Sequence, residues 1–171
     1  DRIFEVFPGG ELDLMSLSLT SGSAEMGGGL LNRAGQVTLT NVTVHGNDAV
    51  RGGGIANIAG TNGSNATISI TDSSIVGNSA EGNGGGILNL ATADSASAVV
   101  TFSNSLIESN SAEGSGGGVY SAADADAASA LVSLSSSVID ANSSEGDGGG
   151  IASTASGSGA TSSVLLVDGA V

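Results

Sequence analysis

The basic side chains are the first candidates for chemistry in this chain. They are Arg2, Arg33, Arg51 and a single histidine, His45, and the chain contains no lysine and no cysteine. A glycan lyase needs a strong base such as Arg or Lys, and a glycosidase needs two carboxylates at a defined separation. None of the arginines aligns with a carboxylate cluster. We therefore expect no enzymatic activity.

A sugar-binding surface is the alternative that these residues leave open. Sugar-binding clefts use aromatic platforms, and Tyr120 is the exposed aromatic candidate in a chain with only four aromatic residues. Tyr120 with the Arg33 and Arg51 pair would form such a site. A glycan-binding or glycan-cleaving module is thus the competing hypothesis, with surface glycans of a host or neighbouring cell as partners.

A column of acidic residues is the candidate metal site. Glu81, Glu113 and Glu145 recur at one constant interval. If the repeats stack, these carboxylates lie about 5 Å apart, so either the side chains splay into solvent or a cation bridges them. Calcium prefers oxygen ligands, but it takes six to eight of them. We favour solvated charge and keep calcium as the candidate cofactor.

The charge balance excludes several partners. Seventeen acidic residues against three arginines give a formal net charge of −14. Such a chain cannot neutralise nucleic-acid phosphates or dock on anionic lipid. It also lacks a continuous apolar run long enough to span a membrane. Acidity without cysteine is typical of a secreted prokaryotic protein, although acidity also suits intracellular proteins of salt-loving organisms. We expect an extracellular or cell-surface location.

Glycine triplets reveal the elements that position these side chains. Five triplets occur, each is followed by one aliphatic residue, and the last four begin at equal intervals. A fixed period of this kind is the signature of a solenoid. The triplets, which we interpret as structural turns, begin at Gly27, Gly52, Gly84, Gly116 and Gly148.

Alternating apolar residues predict short strands in every repeat. Pairs such as Val37/Leu39 and Ile68/Ile70 occur six times, and an aliphatic residue three positions before an asparagine forms a second recurring pattern. One repeat therefore holds three strands, and the fold class is an all-β parallel β-helix of about six coils. The chain, residues 1–171, is one domain with coils beginning near residues 2, 27, 52, 84, 116 and 148. The extra segment of the later, longer coils should bulge between the first and second strands.

Two asparagine columns have structural interpretations. Asn32, Asn57 and Asn89 lie two residues beyond an inward aliphatic, so we expect an internal ladder of hydrogen-bonded amides. The second column fits a tight turn, because Asn tolerates left-handed backbone. Its members are Asn47, Asn78, Asn110 and Asn142.

The repeats resemble a known group of bacterial surface proteins. Gly77-Asn78-Ser79-Ala80 leading to Gly84-Gly85-Gly86-Ile87 is similar to the right-handed parallel β-helix repeat of the polymorphic outer membrane protein type. That repeat has Gly-Gly-Ala-aliphatic and Phe-x-x-Asn motifs, whereas here Gly replaces Ala, and Ile or Val replaces Phe. The resemblance covers about residues 4–166. It implies a right-handed β-helix and a surface-displayed, adhesin-like or structural role, and it implies no reaction.

The ends of the repeat pattern suggest how the protein assembles. The first strand begins at once with Phe4 and Val6, and Val164, Leu166 and Val171 still follow the pattern. An uncovered coil exposes apolar columns and unpaired backbone. We therefore expect either a stalk module of a longer adhesin or a filament subunit that binds itself head to tail.

Overall fold

The computed structural model describes residues 1–168, which form 22 short β-strands. The first coil contains β1 (Phe4–Val6), β2 (Glu11–Met15), β3 (Ser18–Thr20) and β4 (Ser23–Met26). The second contains β5 (Leu30–Arg33), β6 (Gln36–Thr40), β7 (Thr43–His45) and β8 (Asp48–Arg51). The third contains β9 (Ile55–Ala59), β10 (Asn65–Thr71), β11 (Ser74–Val76) and β12 (Ser79–Ala80).

The later coils repeat this order. The fourth contains β13 (Ile87–Ala91), β14 (Ser97–Ser103), β15 (Leu106–Glu108) and β16 (Ser111–Ala112). The fifth contains β17 (Val119–Ala123), β18 (Ser129–Ser135), β19 (Val138–Asp140) and β20 (Ser143–Ser144). The sixth has two strands within the described range, β21 (Ile151–Ala155) and β22 (Thr161–Val167).

Equivalent strands of successive coils pair in parallel and form four sheets. Sheet 1 consists of β1, β5, β9, β13, β17 and β21, and sheet 2 of β2, β6, β10, β14, β18 and β22. Sheet 3 consists of β3, β7, β11, β15 and β19, and sheet 4 of β4, β8, β12, β16 and β20. Residues one period apart are direct partners, as in Ile87 beside Val119. The predicted all-β parallel β-solenoid is confirmed.

Two details of the predicted coil were wrong. Each complete coil has four strands instead of three, and residues 1–168 form five complete coils and a two-strand sixth, slightly fewer than the predicted number of about six. The missed strand follows the recurring asparagine and is as short as Ser79–Ala80. A strand of that length is too short to show period-2 alternation, which is why the sequence pattern concealed it.

Columns of aliphatic side chains fill the interior. Inward residues of sheet 1 are Leu30, Ile55, Ile87 and Val119, all completely buried. Sheets 2 and 3 add similar columns, such as Val44, Ile75 and Ile107. Because coils stack in register, each side chain packs on its own equivalent in the next coil. This arrangement explains how a chain with so few aromatic residues builds a core.

Left-handed residues turn the chain at the corners. The turn from sheet 2 to sheet 3 uses a residue with φ between 47° and 56° in the first five coils, at Ser16, Asn41, Asp72, Asn104 and Ser136, and Asp168 after β22 has a φ of 52°. The turn into sheet 1 uses the first glycine of each triplet, as at Gly84 with φ of 75°. The second glycine is needed for close approach, since a Cβ at Gly85 would collide with the carbonyl oxygens of Ser111 and Gly117.

The extra segment of the later coils lies between sheets 1 and 2, as expected, but it is not a loose bulge. It lengthens the strands of both sheets and closes each coil with a short turn, such as residues 60–64. Small side chains, Ala59, Ala66, Ala91, Ala98 and their equivalents, pack into a separate buried cluster between the extensions. The third and later coils are therefore wider than the first two. Residues 1–168 contain no helix that is long and apolar enough to cross a membrane.

Candidate functional site

The recurring asparagines form a hydrogen-bonded column at the corner between sheets 3 and 4, here called the corner ladder. Asn47 Nδ2 donates to Asn78 Oδ1 at 3.0 Å, and the pairs Asn78 to Asn110 and Asn110 to Asn142 repeat the contact at 2.9 Å. The backbone N–H of each donor residue reaches the same oxygen at 3.0–3.1 Å. Each of these Oδ1 atoms thus accepts two hydrogen bonds from the preceding coil.

These asparagines act through their side chains and not through left-handed backbone, which corrects the conformational part of our prediction. The left-handed residue is the one before each asparagine, namely Gly46, Gly77, Ser109 and Ala141, with φ between 52° and 62°. The turn thus directs the amide inward, where Asn47, Asn78 and Asn110 are almost fully buried.

A second column, the internal ladder, runs inside sheet 1. Asn32 Nδ2 donates to Asn57 Oδ1 and Asn57 Nδ2 donates to Asn89 Oδ1, both at 2.8 Å, and Asn89 Nδ2 donates to Ser121 Oγ at 3.2 Å. The remaining amide hydrogens bond to backbone carbonyls of sheet 2, such as Ala66 and Ala98. The internal ladder therefore links coil to coil and also joins sheet 1 to sheet 2.

Sequence reasoning missed a third column, the serine ladder, at the corner between sheets 2 and 3. The backbone N–H of Ser73 donates to Ser105 Oγ at 3.2 Å, and that of Ser105 donates to Ser137 Oγ at 3.1 Å. The constant interval between these buried serines was the available signal. It was hidden because serine is common throughout the chain.

All three ladders point in one direction along the solenoid. Their donors belong to the earlier coil and their acceptors to the later coil, so the first coil needs no polar side chain in these columns. The equivalent first-coil residues are Val6, Leu17 and Gly22, and the Gly22 N–H donates to Asn47 Oδ1 at 2.9 Å. The two ends of the solenoid are therefore chemically different.

The acidic column Glu81, Glu113 and Glu145 lies on the surface just after sheet 4. All three side chains are exposed, and their backbone N–H groups continue the coil-to-coil pairing, as in Glu113 N–H to Ala80 O at 3.0 Å. Within residues 1–168, no group of three or more His, Cys, Asp or Glu side chains is arranged to hold a metal ion.

Two of the three arginines converge on Glu5, and Arg51 lies apart from them. Arg2 and Arg33 both pair with Glu5, Arg33 Nε at 2.8 Å from Glu5 Oε1, and Arg2 also donates to the carbonyls of Met26 and Gly27. The hydrogen bond from Arg33, followed by the nearby charges of both arginines, holds the pKa of Glu5 below its usual value. Arg51 is the last residue of β8, just before the turn into sheet 1, whereas Arg33 is the last residue of β5 in sheet 1. The two arginines therefore lie at opposite ends of the sheet 1 strands.

The residues of the glycan hypothesis are also dispersed. Tyr120 lies half-buried on the outer face of sheet 1, where its hydroxyl lies 3.2 Å from Thr154 Oγ1. A shallow groove of about 160 Å³ borders Arg33 at the step between narrow and wide coils, lined by Pro8, Arg33, Ala34, Ile58, Gly60 and Thr61. His45 is exposed at the end of β7. Tyr120 and Arg51 do not line the groove, so the structure does not bring the three residues of that hypothesis together.

The two end strands of sheet 2 expose apolar side chains. The last two outward columns of sheet 2 carry Ser or Thr in the inner strands, as at Ser133 and Ser135. In β22 the same two columns carry Leu165 and Val167, which are 52% and 37% exposed. The inward Val164 and Leu166 are 37% and 56% exposed. At the other end, Val6 is buried and Phe4 is half-buried. Val171 lies outside the described residues.

No protein-family model, curated protein or solved structure matches this chain. We therefore infer the function of the three ladders and of the exposed surface from their geometry alone. Its buried polar groups are committed to bonds that tie each coil to the next. Within residues 1–168, most of the exposed large apolar side chains lie in the first coil, at Ile3, Phe7 and Met15, and in β22, at Val164, Leu165, Leu166 and Val167.

Proposed function

We propose that this chain is a non-enzymatic, extracellular structural β-solenoid, either a stalk module of an adhesin-like surface protein or a subunit of a head-to-tail filament. The observation that carries the proposal is the set of three buried ladders, which join successive coils along the axis. A buried amide or hydroxyl that loses its partner costs about 1–3 kcal/mol, so each ladder strongly favours the stacked state.

Charge and composition support placement outside the cell. The surface is strongly acidic, and the carboxylates keep neighbouring rods apart while axial contacts remain apolar. Such a molecule grows or extends along its axis and resists sideways aggregation. This behaviour suits a spacer that holds a binding domain away from a surface.

The apolar residues at the two ends of sheet 2 favour the filament form over the stalk. In the outermost outward column of sheet 2, the first and last strands carry Met15 and Val167, while the positions between them are Thr40, Thr71, Ser103 and Ser135. A second copy stacked in register would place Met15 on Val167. Residues 1–51 hold all three arginines and six carboxylates, whereas residues 52–171 hold eleven carboxylates and no basic residue, so a head-to-tail contact is less repulsive than a contact between two copies of the later, more acidic end.

Electron microscopy of the natively purified protein tests the proposed function. Six coils spaced about 4.8 Å apart span about 29 Å, so a stalk or filament must appear as rods longer than this. Fibres whose axial repeat equals the height of one module indicate head-to-tail copies, and longer rods without that repeat indicate a stalk. Native particles no longer than one module would contradict both forms.

The double substitution Leu165→Ser and Val167→Ser separates the two forms. It restores the hydroxyl pattern of the inner strands, so the coil should remain folded. In a filament it lowers the sedimentation coefficient at a given concentration, whereas the control Leu131→Ser, in an outward column of β18, leaves it unchanged. A stalk module responds to neither variant.

A further inference from the structure

The change in coil length leaves an internal strand edge, here called the overhang, which consists of residues 59–66. β10 begins at Asn65, two residues before Thr67, where its pairing with the shorter β6 begins. In sheet 1, Ala59 lies one residue beyond Ile58, the last residue of β9 that pairs with β5. The overhang therefore has a neighbouring coil on its later side only. This edge arises in the interior of the sequence, where narrow coils meet wide ones.

The overhang has an open flank that requires protection. An unpaired strand edge is a template for pairing with other chains, and native proteins cover or block such edges. The turn at Gly63 also has a one-sided contact, because its N–H donates to Asp94 O of the next coil at 2.9 Å. A Cβ added at Gly63 would meet no atom within 4 Å. A bulky group attached to this turn would thus find free space.

The overhang carries two acceptor sequences for N-linked glycosylation, in which Asn is followed by any residue except Pro and then by Ser or Thr. They are Asn62-Gly63-Ser64 and Asn65-Ala66-Thr67, the second of which ends one residue beyond the overhang. The wide turns of the next two coils have Asp94 and Asp126 at the position of Asn62 and contain no acceptor sequence. The acceptor sequences therefore coincide with the wide turn that borders the narrow coils.

Two further acceptor asparagines lie elsewhere in the chain, and their side chains are engaged. Asn41 Nδ2 donates to Ser16 Oγ at 3.1 Å. Asn142 is half-buried in the corner ladder, where its Nδ2 donates to Ile107 O at 2.8 Å and to Asp140 O at 2.9 Å. Modification of either asparagine would break these bonds.

The two asparagines of the overhang differ in how their backbone is held. Both side chains are exposed, and within residues 1–168 neither amide donates a hydrogen bond. Asn62 lies in the turn formed by residues 60–64, whereas Asn65 is the first residue of β10 and pairs with Ser97. A transferase acts on an acceptor in an accessible surface loop. This requirement favours Asn62.

We propose that Asn62 is an N-glycosylation site and that its glycan shields the overhang from pairing with other strands. The Asn62 amide nitrogen attacks the anomeric carbon of an oligosaccharide carried on a polyprenyl phosphate. A carbon–nitrogen bond forms while the bond from the anomeric carbon to the phosphate oxygen breaks. The electron pair of the broken bond leaves with the lipid phosphate, and one amide proton passes to a base. The proposal rests on the extracellular location in the proposed function, because exported proteins receive such glycans.

Peptide mass spectrometry of the natively purified protein tests the modification. Cleavage after Arg51 and Glu81 releases residues 52–81, which contain both acceptor asparagines of the overhang. The proposal predicts that this peptide carries the mass of an oligosaccharide and that fragmentation places it on Asn62. Asn62→Gln, produced in the native host, should remove the added mass, whereas the control Asn41→Gln should leave it in place. A peptide without added mass, or with the glycan on another residue, would overturn the proposal.

Sedimentation of the two variants tests the shielding role. Without the glycan the overhang can pair with other chains, so Asn62→Gln should raise the aggregated fraction by about twofold or more, and Asn41→Gln should not. Equal fractions for the two variants would overturn the shielding role.

Protease treatment of intact cells separates the failure of this proposal from the failure of the proposed location. A chain that is cleaved at the cell surface but carries no glycan contradicts the glycosylation site alone. A chain that is protected from the protease and carries no glycan contradicts both.

Rod length in electron micrographs is independent of the modification, so the structural function can stand without it.

Discussion

Asn78 and Asn110 lie in successive coils, and Asn110 Oδ1 accepts both the side-chain amide of Asn78 at 2.9 Å and its backbone N–H at 3.0 Å. One atom thereby satisfies two buried donors of the preceding coil. The arrangement makes the asparagine side chain, and not only the pairing of short strands, the link between coils at this corner.

Replacing this acceptor should destabilise the protein strongly. Asn110→Ala leaves the buried backbone N–H of Asn78 without its acceptor and also removes the hydrogen bonds that Asn110 Nδ2 donates to Ile75 O and Asn142 Oδ1. An unpaired buried group costs about 1–3 kcal/mol, so we expect a loss of about 3 kcal/mol. Equilibrium urea unfolding measures it. Asn62→Ala, at an exposed turn, is the control and should stay within about 0.5 kcal/mol of the original protein. Equal effects for both variants would contradict the role of the ladder.

The serine ladder predicts a smaller loss. Ser105→Ala removes the acceptor of the Ser73 N–H, and a net hydrogen bond in a buried site contributes about 1 kcal/mol. The exposed neighbour Ser103 provides a matched control, because its side chain is outside the ladder. Thermal unfolding should show a lower midpoint for Ser105→Ala than for Ser103→Ala. The reverse order would show that the serine column does not stabilise the fold.

Glycine is required at Gly85 by space and not by backbone conformation. A Cβ there would meet two backbone carbonyls of the next coil, so Gly85→Ala should cost more than about 4 kcal/mol or prevent folding. Gly63 has φ of 69°, but an added Cβ there meets no atom within 4 Å, so Gly63→Ala should cost only about 1 kcal/mol. Circular dichroism during heating compares the two, and similar midpoints would argue against tight coil stacking.

Acid should weaken the first coil through Glu5. Because its pKa is lowered in the folded state, its contribution to stability is full above the ordinary glutamate pKa of about 4.3 and is lost as the pH falls through the lowered value. Glu5→Gln should therefore be less stable than the original protein near neutrality, and the difference should vanish in acid. Glu11→Gln controls for net charge. A stability difference for Glu5→Gln that does not depend on pH would exclude this ion cluster as its cause.

The acidic column yields a prediction about cations. If the side chains are solvated, Glu113→Gln relieves repulsion within the column and raises the unfolding midpoint slightly, and a chelator changes nothing. If calcium bridges the carboxylates, the substitution lowers the midpoint and the chelator lowers that of the original protein. We expect the first result, because these glutamates are exposed and form no metal-binding group within the described coils.

The features that could be predicted from the sequence are those marked by easily recognised residues at a constant interval. Stacked aliphatics such as Ile75 and Ile107 made the period visible, and the glycine triplets located one corner of every coil. The parallel solenoid follows from these because only stacking explains aligned columns at equal intervals.

The features that could not be predicted are those formed by very short strands or by residue types that are common throughout the chain. The fourth strand is only two residues long in three coils, and Ser73, Ser105 and Ser137 are inconspicuous in a serine-rich chain. The left-handed residue before each asparagine varies from Gly77 to Ser109 to Ala141. Backbone conformation there is imposed by stacking on the neighbouring coil, which local sequence does not encode.

The length of the native particle tests the central claim most directly. Six coils span about 29 Å along the axis. Electron micrographs of the natively purified protein should therefore show rods longer than this. Isolated particles of one module's height, found at every concentration, would contradict the claim that the chain serves as part of an extended rod.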